Sequence, residues 1–262
     1  MEMRQLRSIG LCLVAILMAS AMAAASASAL EAPEIGRCVL QSGGAYANNS
    51  CTKDAKKVTE EKYEWEPGAV KAKFTGTGGA ATLETVAPIE VKCKRETSNG
   101  EFTSPTTVGN IAVTFYGCEE TGFKCETAGA KEKGEIVVNT LSGKLVWEHK
   151  ATKKVAVDLF PASTELFVAF ACGPAKAKVK GSVLVNVKAG KMEESLKEAF
   201  KGITGKVGHQ NPEEYETASG ERVKDILETQ LANNETAPFE QSSQTVTNTQ
   251  KDEELLEVNW FV

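Results

Sequence analysis

The chain has 262 residues, of which 30 are basic and 35 acidic, and its net charge at neutral pH is −5. This mild acidity argues against nucleic acid or an anionic membrane as a partner, because both are negatively charged and bind clusters of lysine and arginine. The length is enough for one large domain with a real core, unlike a mini-protein that depends on its cross-links.

The N-terminus carries the three parts of a secretory signal peptide. Arg4 and Arg7 precede an uncharged apolar stretch, residues 9–25, and small residues follow it. With Ala27 at position −3 and Ala29 at −1, signal peptidase is expected to cut directly after Ala29. The apolar stretch is short for a membrane-spanning helix, which needs about 20 residues. The pattern therefore predicts export rather than anchoring.

Cleavage there divides the chain into a signal peptide, residues 1–29, and one large secreted domain, residues 30–262. A sub-domain boundary near residues 188–192 is the alternative to a single domain. Beyond the signal peptide the longest apolar run is Leu166–Cys172, far too short to cross a bilayer as a helix. The mature protein is therefore expected to be extracellular and to have no transmembrane segment.

Six cysteines lie beyond the signal peptide: Cys38, Cys51, Cys93, Cys118, Cys125 and Cys172. An even number in an exported chain indicates disulfides. Cys38 and Cys51 enclose a loop rich in glycine and asparagine, and Cys118 and Cys125 flank a turn signal. Cys93 and Cys172 each continue the inward face of a strand pattern. We therefore predict the bridges Cys38–Cys51, Cys118–Cys125 and Cys93–Cys172.

Most of the mature chain shows the period of two that is typical of half-buried strands. The alternating stretches are residues 70–74, 89–93, 111–115, 155–159, 179–185 and 244–250. Residues 166–171 are apolar on both faces, which predicts a central strand. The chain ends on a strand pattern that places Leu256, Val258, Trp260 and Val262 on one face.

Turn signals separate these stretches. They are Pro67-Gly68, Gly78-Gly79, Ser98-Asn99-Gly100, Ser142-Gly143 and Gly173-Pro174. Many short strands at this spacing predict a mainly β fold, which is an antiparallel sandwich or a barrel-like sheet with disulfides.

One segment departs from the strand pattern. Five apolar residues fall at i, i+4, i+7, i+8 and i+11: Met192, Leu196, Ala199, Phe200 and Ile203. This spacing is typical of an amphipathic helix. As a strand, the same stretch would place Glu194 and Glu198 on the apolar face. We therefore predict one short helix near residues 192–203.

Several short motifs are spread over the mature chain: Gly36-Arg37-Cys38, Tyr63-Glu64-Trp65, Thr82-Leu83-Glu84-Thr85, Gly100-Glu101-Phe102-Thr103, Thr107-Val108-Gly109-Asn110, Gly117-Cys118, Gly134-Glu135-Ile136-Val137 and Pro238-Phe239-Glu240-Gln241. Together they resemble a family of uncharacterised exported proteins, bearing signal peptides, from high-GC Gram-positive soil bacteria. The resemblance implies the extracellular compartment and a shared architecture, but no activity, substrate or catalytic residue. In that family residues 192–201 are richer in threonine and more strand-like, and this chain departs from it there.

Motifs for catalysis and for cofactors are scarce. The mature chain has His149 and His209 and no G-x-S-x-G element, which argues against a Ser-His-Asp hydrolase. Neither zinc nor another cofactor is expected, because close cysteine pairs and His ligand spacings are absent from the sequence. The glycine-rich segment at residues 76–79 has no helix pattern after it, so it predicts a hairpin turn rather than a phosphate loop. A glycosidase needs only two suitably placed carboxylates. Because glutamates are numerous, the sequence leaves this class of enzyme open but does not single out a catalytic pair.

Aromatic residues are the feature that fits binding. Tyr63 and Trp65 share one face of a short strand and, with Trp147, could stack on a cell-wall or extracellular glycan. Core packing is the alternative, and we favour it because large aromatics dominate cores.

The sequence thus predicts a secreted, non-catalytic β protein of the cell surface or medium with a structural or ligand-binding role. A secreted hydrolase acting through paired glutamates is the alternative. The hydrolase requires a polar cleft in which a glutamate of raised pKa faces a second carboxylate.

Cleavage after Ala29 can be measured directly on protein exported by a bacterial host. Intact-mass analysis of the secreted product is expected to give a chain that begins at Leu30. Recovery of Met1 on a membrane-bound product would replace export by anchoring.

Overall fold

A computed structural model describes residues 32–87, 89–232 and 237–259 of the chain. The predicted signal peptide, Trp260 and Val262 lie outside these residues. The described part contains 21 strands, all paired antiparallel, and two single turns of 3₁₀ helix at Val58–Glu60 and Lys150–Thr152. It contains no helix with the length and hydrophobicity needed to cross a bilayer. The predicted mainly β, antiparallel and barrel-like fold is confirmed.

The strands are numbered in chain order. They are β1 (Glu34–Leu40), β2 (Tyr63–Pro67), β3 (Lys73–Gly78), β4 (Ala81–Thr85), β5 (Glu90–Cys93), β6 (Arg95–Ser104), β7 (Thr107–Tyr116), β8 (Glu119–Glu120), β9 (Phe123–Thr127), β10 (Ile136–Val137), β11 (Leu141–His149), β12 (Lys154–Pro161), β13 (Leu166–Cys172), β14 (Ala175–Gly181), β15 (Val183–Val187), β16 (Glu193–Gly202), β17 (Gln210–Asn211), β18 (Glu214–Glu216), β19 (Arg222–Lys224), β20 (Leu227–Ala232) and β21 (Glu240–Asn259).

Eight of these strands pair in a closed ring, which we call the first barrel. The order around the ring is β3, β6, β7, β11, β12, β15, β16 and β21, and β21 pairs again with β3. The junction between β15 and β16 rests on the pair Asn186 and Ala199. Residues 188–192 therefore connect two neighbouring strands of one barrel.

A second ring shares β21 with the first, and we call it the second barrel. Its order is β4, β5, β8, β9, β13, β14, β20 and the N-terminal part of β21, which pairs again with β4. β13 has a neighbour on each edge, as its apolar pattern predicted. Closure removes free strand edges from both rings.

The core lies inside the two barrels. Inward positions alternate with outward ones along each strand, so that Val155, Val157 and Leu159 of β12 contribute to the main apolar cluster. A smaller apolar cluster lies on the outer face of the first barrel, where Tyr215 covers Val146, Ala156 and Leu184. The segment that carries β18 and β19 is therefore packed against the barrel wall.

The helix predicted near residues 192–203 is wrong, because this stretch forms β16. Six consecutive residues, from Ser195 to Phe200, pair with β21, and this pairing supplies backbone hydrogen bonds in place of those of a helix. Leu196, Glu198 and Phe200 all line the interior of the first barrel. A glutamate on the inward face, which counted against a strand, is accommodated because it faces a cavity.

Two predicted turns lie inside strands, since Ser98 and Gly100 are within β6 and Gly143 is within β11. The signal Gly78-Gly79 falls where β3 ends. At Gly100 and Gly143 an added Cβ would come within 3.0 Å of apolar side chains. These glycines allow close packing in the barrel interior rather than chain reversal.

Of the predicted disulfides, Cys38–Cys51 is confirmed, and the other two pairings are wrong. The structure joins Cys93 to Cys118 and Cys125 to Cys172. Cys125 of β9 stands directly opposite Cys172 of β13, which gives the second of these bridges. Cys118 and Cys125 do approach each other, but through a backbone hydrogen bond of 3.0 Å. Each half of the β8–β9 hairpin is therefore linked to a different part of the second barrel.

The three bridges should differ in their contribution to stability because they close loops of different length. Cys125 and Cys172 are 47 residues apart, and Cys38 and Cys51 are 13 apart. The chain-entropy relation gives about 4 kcal/mol for the longer loop and about 3 kcal/mol for the shorter one. Replacing each pair by alanine and measuring urea unfolding is expected to reproduce this order. A larger loss from the Cys38–Cys51 pair would contradict it.

Candidate functional site

The first barrel encloses a cavity of about 110 Å³. Most of its wall is apolar, with Phe74, Phe102, Ile111, Phe115 and Leu145 among the lining residues. For comparison, an apolar engineered cavity of about 150 Å³ holds a benzene molecule. The space inside the barrel is somewhat smaller than that cavity and holds several waters or at most one molecule of about the size of benzene.

One row of polar residues crosses four neighbouring strands of this barrel. Glu198 of β16 is opposite Asn248 of β21, Asn248 is opposite Gly78 of β3, and Gly78 is opposite Glu96 of β6. Residues directly opposite one another in a sheet point to the same face. The strand register therefore brings two glutamates and an asparagine together on the cavity wall.

Two glycines of β3 make room for this polar row. A Cβ atom at Gly78 would lie 2.6 Å from Glu96 Oε2, and one at Gly76 would lie 2.8 Å from Asn248 Nδ2 and collide with Ser98 Oγ. With no side chain at these two positions of β3, the side chains of the neighbouring strands reach across it. The glycines thus have a steric role in the site.

Hydrogen bonds link the polar side chains into a chain. Asn248 Nδ2 donates to Glu198 Oε2 over 3.3 Å and to Ser98 Oγ over 3.5 Å, and Ser98 in turn contacts Glu96. Next to this chain, Gln250 Nε2 donates to Asp252 Oδ1 over 2.8 Å.

Two buried acceptor atoms at this wall have no hydrogen-bond partner among the described residues. They are Asn248 Oδ1 and Asp252 Oδ2. Asn248 is only 5% exposed, and an unsatisfied buried acceptor costs about 1–3 kcal/mol. Such groups are usually satisfied by a water or a ligand, so these two atoms point to an occupant that donates hydrogen bonds.

The pKa values of the carboxyl groups in the cavity are raised. Burial raises the pKa of Glu198 to about 7, and the neighbouring Glu96 and Asp252 add to the rise. Burial likewise raises the pKa of Asp252 to about 6. Glu198 is enclosed by protein on all sides but keeps some accessible surface, since it faces the cavity. These carboxyls therefore exchange protons near neutral pH.

Two further carboxyl groups line the same cavity. Burial raises the pKa of Glu96, and a hydrogen bond from Ser98 partly offsets this. Burial also raises the pKa of Glu257, and a hydrogen bond from Trp65 acts in the opposite direction. Over the described ranges, no group of three His, Cys, Asp or Glu side chains is arranged to hold a metal ion.

The predicted stacking aromatics do not form a surface platform. Trp65 is 7% exposed and Trp147 3% exposed, and they lie on strands that do not pair with each other, β2 and β11. Tyr63 is half-buried. Both tryptophans are therefore interior residues, which is the interpretation favoured from the sequence, and Trp65 acts as a hydrogen-bond donor to Glu257.

The two histidines lie apart from the cavity wall. His209 Nδ1 is 2.7 Å from Glu213 Oε1, a partner that the sequence did not indicate. His149 lies at the end of β11 and is half-buried. Neither residue belongs to the set that lines the cavity.

Sequence reasoning also missed a buried carboxyl pair on the outer face of the first barrel. Asp158 and Asp225 are 4% and 3% exposed. Lys144 Nζ lies 3.3 Å from Asp158 Oδ2 and donates to the Tyr215 hydroxyl over 3.0 Å. Burial, and then the charge of Asp158, raise the pKa of Asp225 to about 8, while Ser182 and Lys144 act against the rise. This pair therefore retains a proton at neutral pH.

No protein-family model, curated protein or solved structure matches the chain. The function is accordingly argued from the geometry of the cavity and from the sequence.

Replacing Asp225 by asparagine should make stability less dependent on pH. The ordinary pKa of the carboxyl is 3.8 and its pKa in the fold is about 8, so the folded state holds the extra proton between these values. Stability therefore falls as the pH rises through this window, by up to about 1.4 kcal/mol per pH unit. Chemical denaturation at several pH values is expected to give a shallower slope for Asp225→Asn than for the wild type.

Asp54→Asn is the matched control, because Asp54 is exposed, and it should keep the slope of the wild type. Equal slopes for all three proteins would show that the folded pair holds no extra proton.

Proposed function

We propose that this chain is an exported, non-catalytic β protein that binds a small molecule inside its first barrel, at the cell surface or in the medium. Export is supported by the signal-peptide pattern of residues 1–29 and by three disulfides, which persist in oxidising compartments. Binding is supported by the cavity.

The observation that carries the binding proposal is the division of the cavity wall. One side is apolar and suits an apolar body, and the other presents Asn248 Oδ1 and Asp252 Oδ2 without partners. Binding sites for small molecules have this composition, with mostly apolar walls and a few placed polar groups. A cavity that served packing alone would gain stability from apolar side chains at these positions.

A hydrolase is the second candidate, because Glu198 has a raised pKa and lies near Glu96. General acids in glycosidases have this property. The carboxyls, however, lie inside a closed ring of strands, where about 110 Å³ is available. A saccharide that spans the scissile bond, together with the attacking water, needs an open cleft. The geometry therefore supports binding better than hydrolysis.

Binding of a glycan by stacking has less support. It required Tyr63, Trp65 and Trp147 on the surface, and the indoles of both tryptophans are buried. The occupant best supported is a molecule of about the size of benzene rather than a polysaccharide chain.

Filling the cavity should abolish binding. Val113 of β7 lines the cavity and is only partly buried, so Val113→Phe would direct its ring into the open space. In calorimetric titrations with toluene, we expect the wild type to bind and the variant to bind at least about tenfold more weakly, as expected when a ligand is displaced from an apolar site.

Val137→Phe is the matched control, because Val137 is 44% exposed on β10 and does not line the cavity. This variant should bind toluene like the wild type. Equal binding by Val113→Phe would place the ligand outside the barrel.

A further inference from the structure

The charges around the cavity are all of one sign. Four carboxyl groups line it, those of Glu96, Glu198, Asp252 and Glu257. In the described part of the chain, no lysine, arginine or histidine belongs to the lining. Buried carboxylates are normally paired with a cation or a metal, so this wall lacks the partner that such groups usually have.

The buried polar atoms that remain without a partner at this wall are acceptors. The side-chain nitrogens of Asn248 and Gln250 already donate to protein oxygens, and Trp65 donates to Glu257. Asn248 Oδ1 and Asp252 Oδ2 receive no hydrogen bond. An occupant that satisfies this wall must therefore bring donors and gains most if it also brings positive charge.

We infer that the ligand carries a protonated nitrogen, such as an ammonium or amidinium group, on an apolar body of about benzene size, and that this nitrogen lies among Glu198, Asp252 and Asn248. This inference rests on the proposed function and specifies the chemistry of its ligand. A carboxylate or phosphate ligand is disfavoured because it would add a like charge and no donors.

A bound cation would replace the protons that the carboxyl groups of the empty cavity hold. Glu198 is faced by Asn248 and Asp252 from β21 and by Glu96 from β6, while Val185 and Val187 line the cavity from β15. Glu96 and Asp252 make Glu198 harder to ionise, and a cation among these groups would reverse this effect. Binding of an amine is therefore coupled to proton release.

This coupling fixes the direction of the pH dependence. The empty site becomes ionised as the pH rises through about 6 and about 7, the raised pKa values of Asp252 and Glu198. Affinity for an amine that stays protonated should rise over this range, whereas affinity for an uncharged ligand should not rise.

The test compares three probes of similar size: toluene, benzyl alcohol and benzylamine. Calorimetric titrations are made at about pH 5.5 and about pH 8 with the wild type, Glu198→Gln and Glu194→Gln. At the higher pH, benzylamine is expected to bind the wild type at least about tenfold more tightly than the other two, as charge-assisted hydrogen bonds do. Glu198→Gln should remove most of this preference and leave toluene binding unchanged.

Glu194→Gln is the matched control, since Glu194 is exposed on the same strand and its replacement should preserve the preference. Asp252→Asn provides a second variant in case Glu198→Gln does not fold, and it should also reduce the preference. Titrations of benzylamine in two buffers of different ionisation enthalpy should show proton release near pH 7 from the wild type and less from Glu198→Gln.

The outcomes separate the two proposals. If toluene binds and Val113→Phe blocks it, but benzylamine binds no more tightly or keeps its preference in Glu198→Gln and Asp252→Asn, the cationic ligand is overturned and the binding barrel stands. If none of the three probes binds the wild type, both the binding barrel and its cationic ligand fail.

Discussion

The structure depends on a single long strand. β21 runs for 20 residues, and its two halves belong to different barrels. Residues 242–245 pair with β4, and residues 248–252 pair with β3 on the same edge. The opposite edge is covered first by β20 and then by β16. Because β21 closes both rings, its register places the inward residues of both interiors, and Gln244 lines the cavities of both barrels.

The inward face of β21 is polar where an ordinary core would be apolar. Asn248, Gln250 and Asp252 follow Val246 at alternate positions. The adjacent strand β16 supplies Glu198, and β6, on the far side of β3, supplies Glu96 at the same level. Two conditions allow this arrangement. Glycine at two inward positions of β3 leaves lateral space for the longer side chains, and the cavity leaves them room to be hydrated or to bind a ligand. Without the cavity, the same carboxyls would be buried without adequate solvation.

The wall of the first barrel carries buried carboxyls on both sides, and the contrast between them is informative. On the outer side, Asp158 lies beside Lys144, so a cation compensates one carboxylate and the second carboxyl keeps its proton. On the inner side, four carboxyls face the cavity and none of the residues that line it in the described chain is basic. The outer pair therefore has a basic side chain of the protein beside it. The inner group has none among the described lining residues, which is why we assign the cationic ligand to it.

The sequence by itself determined the mainly β character, most of the strands and the six cysteines that form bridges, because the period of two and the cysteine count are local properties. The helix near 192–203 was predicted wrongly because residues spaced by four, such as Leu196 and Phe200, share a face in a helix and in a strand alike. Only pairing with β21 decided between them.

The partners of Cys118 and Cys125 depended on which strands stand opposite β5 and β9. The site, too, was decided by tertiary structure: Glu96, Glu198 and Asn248 lie on separate strands far apart in the chain, and only the register of the closed barrel brings them together.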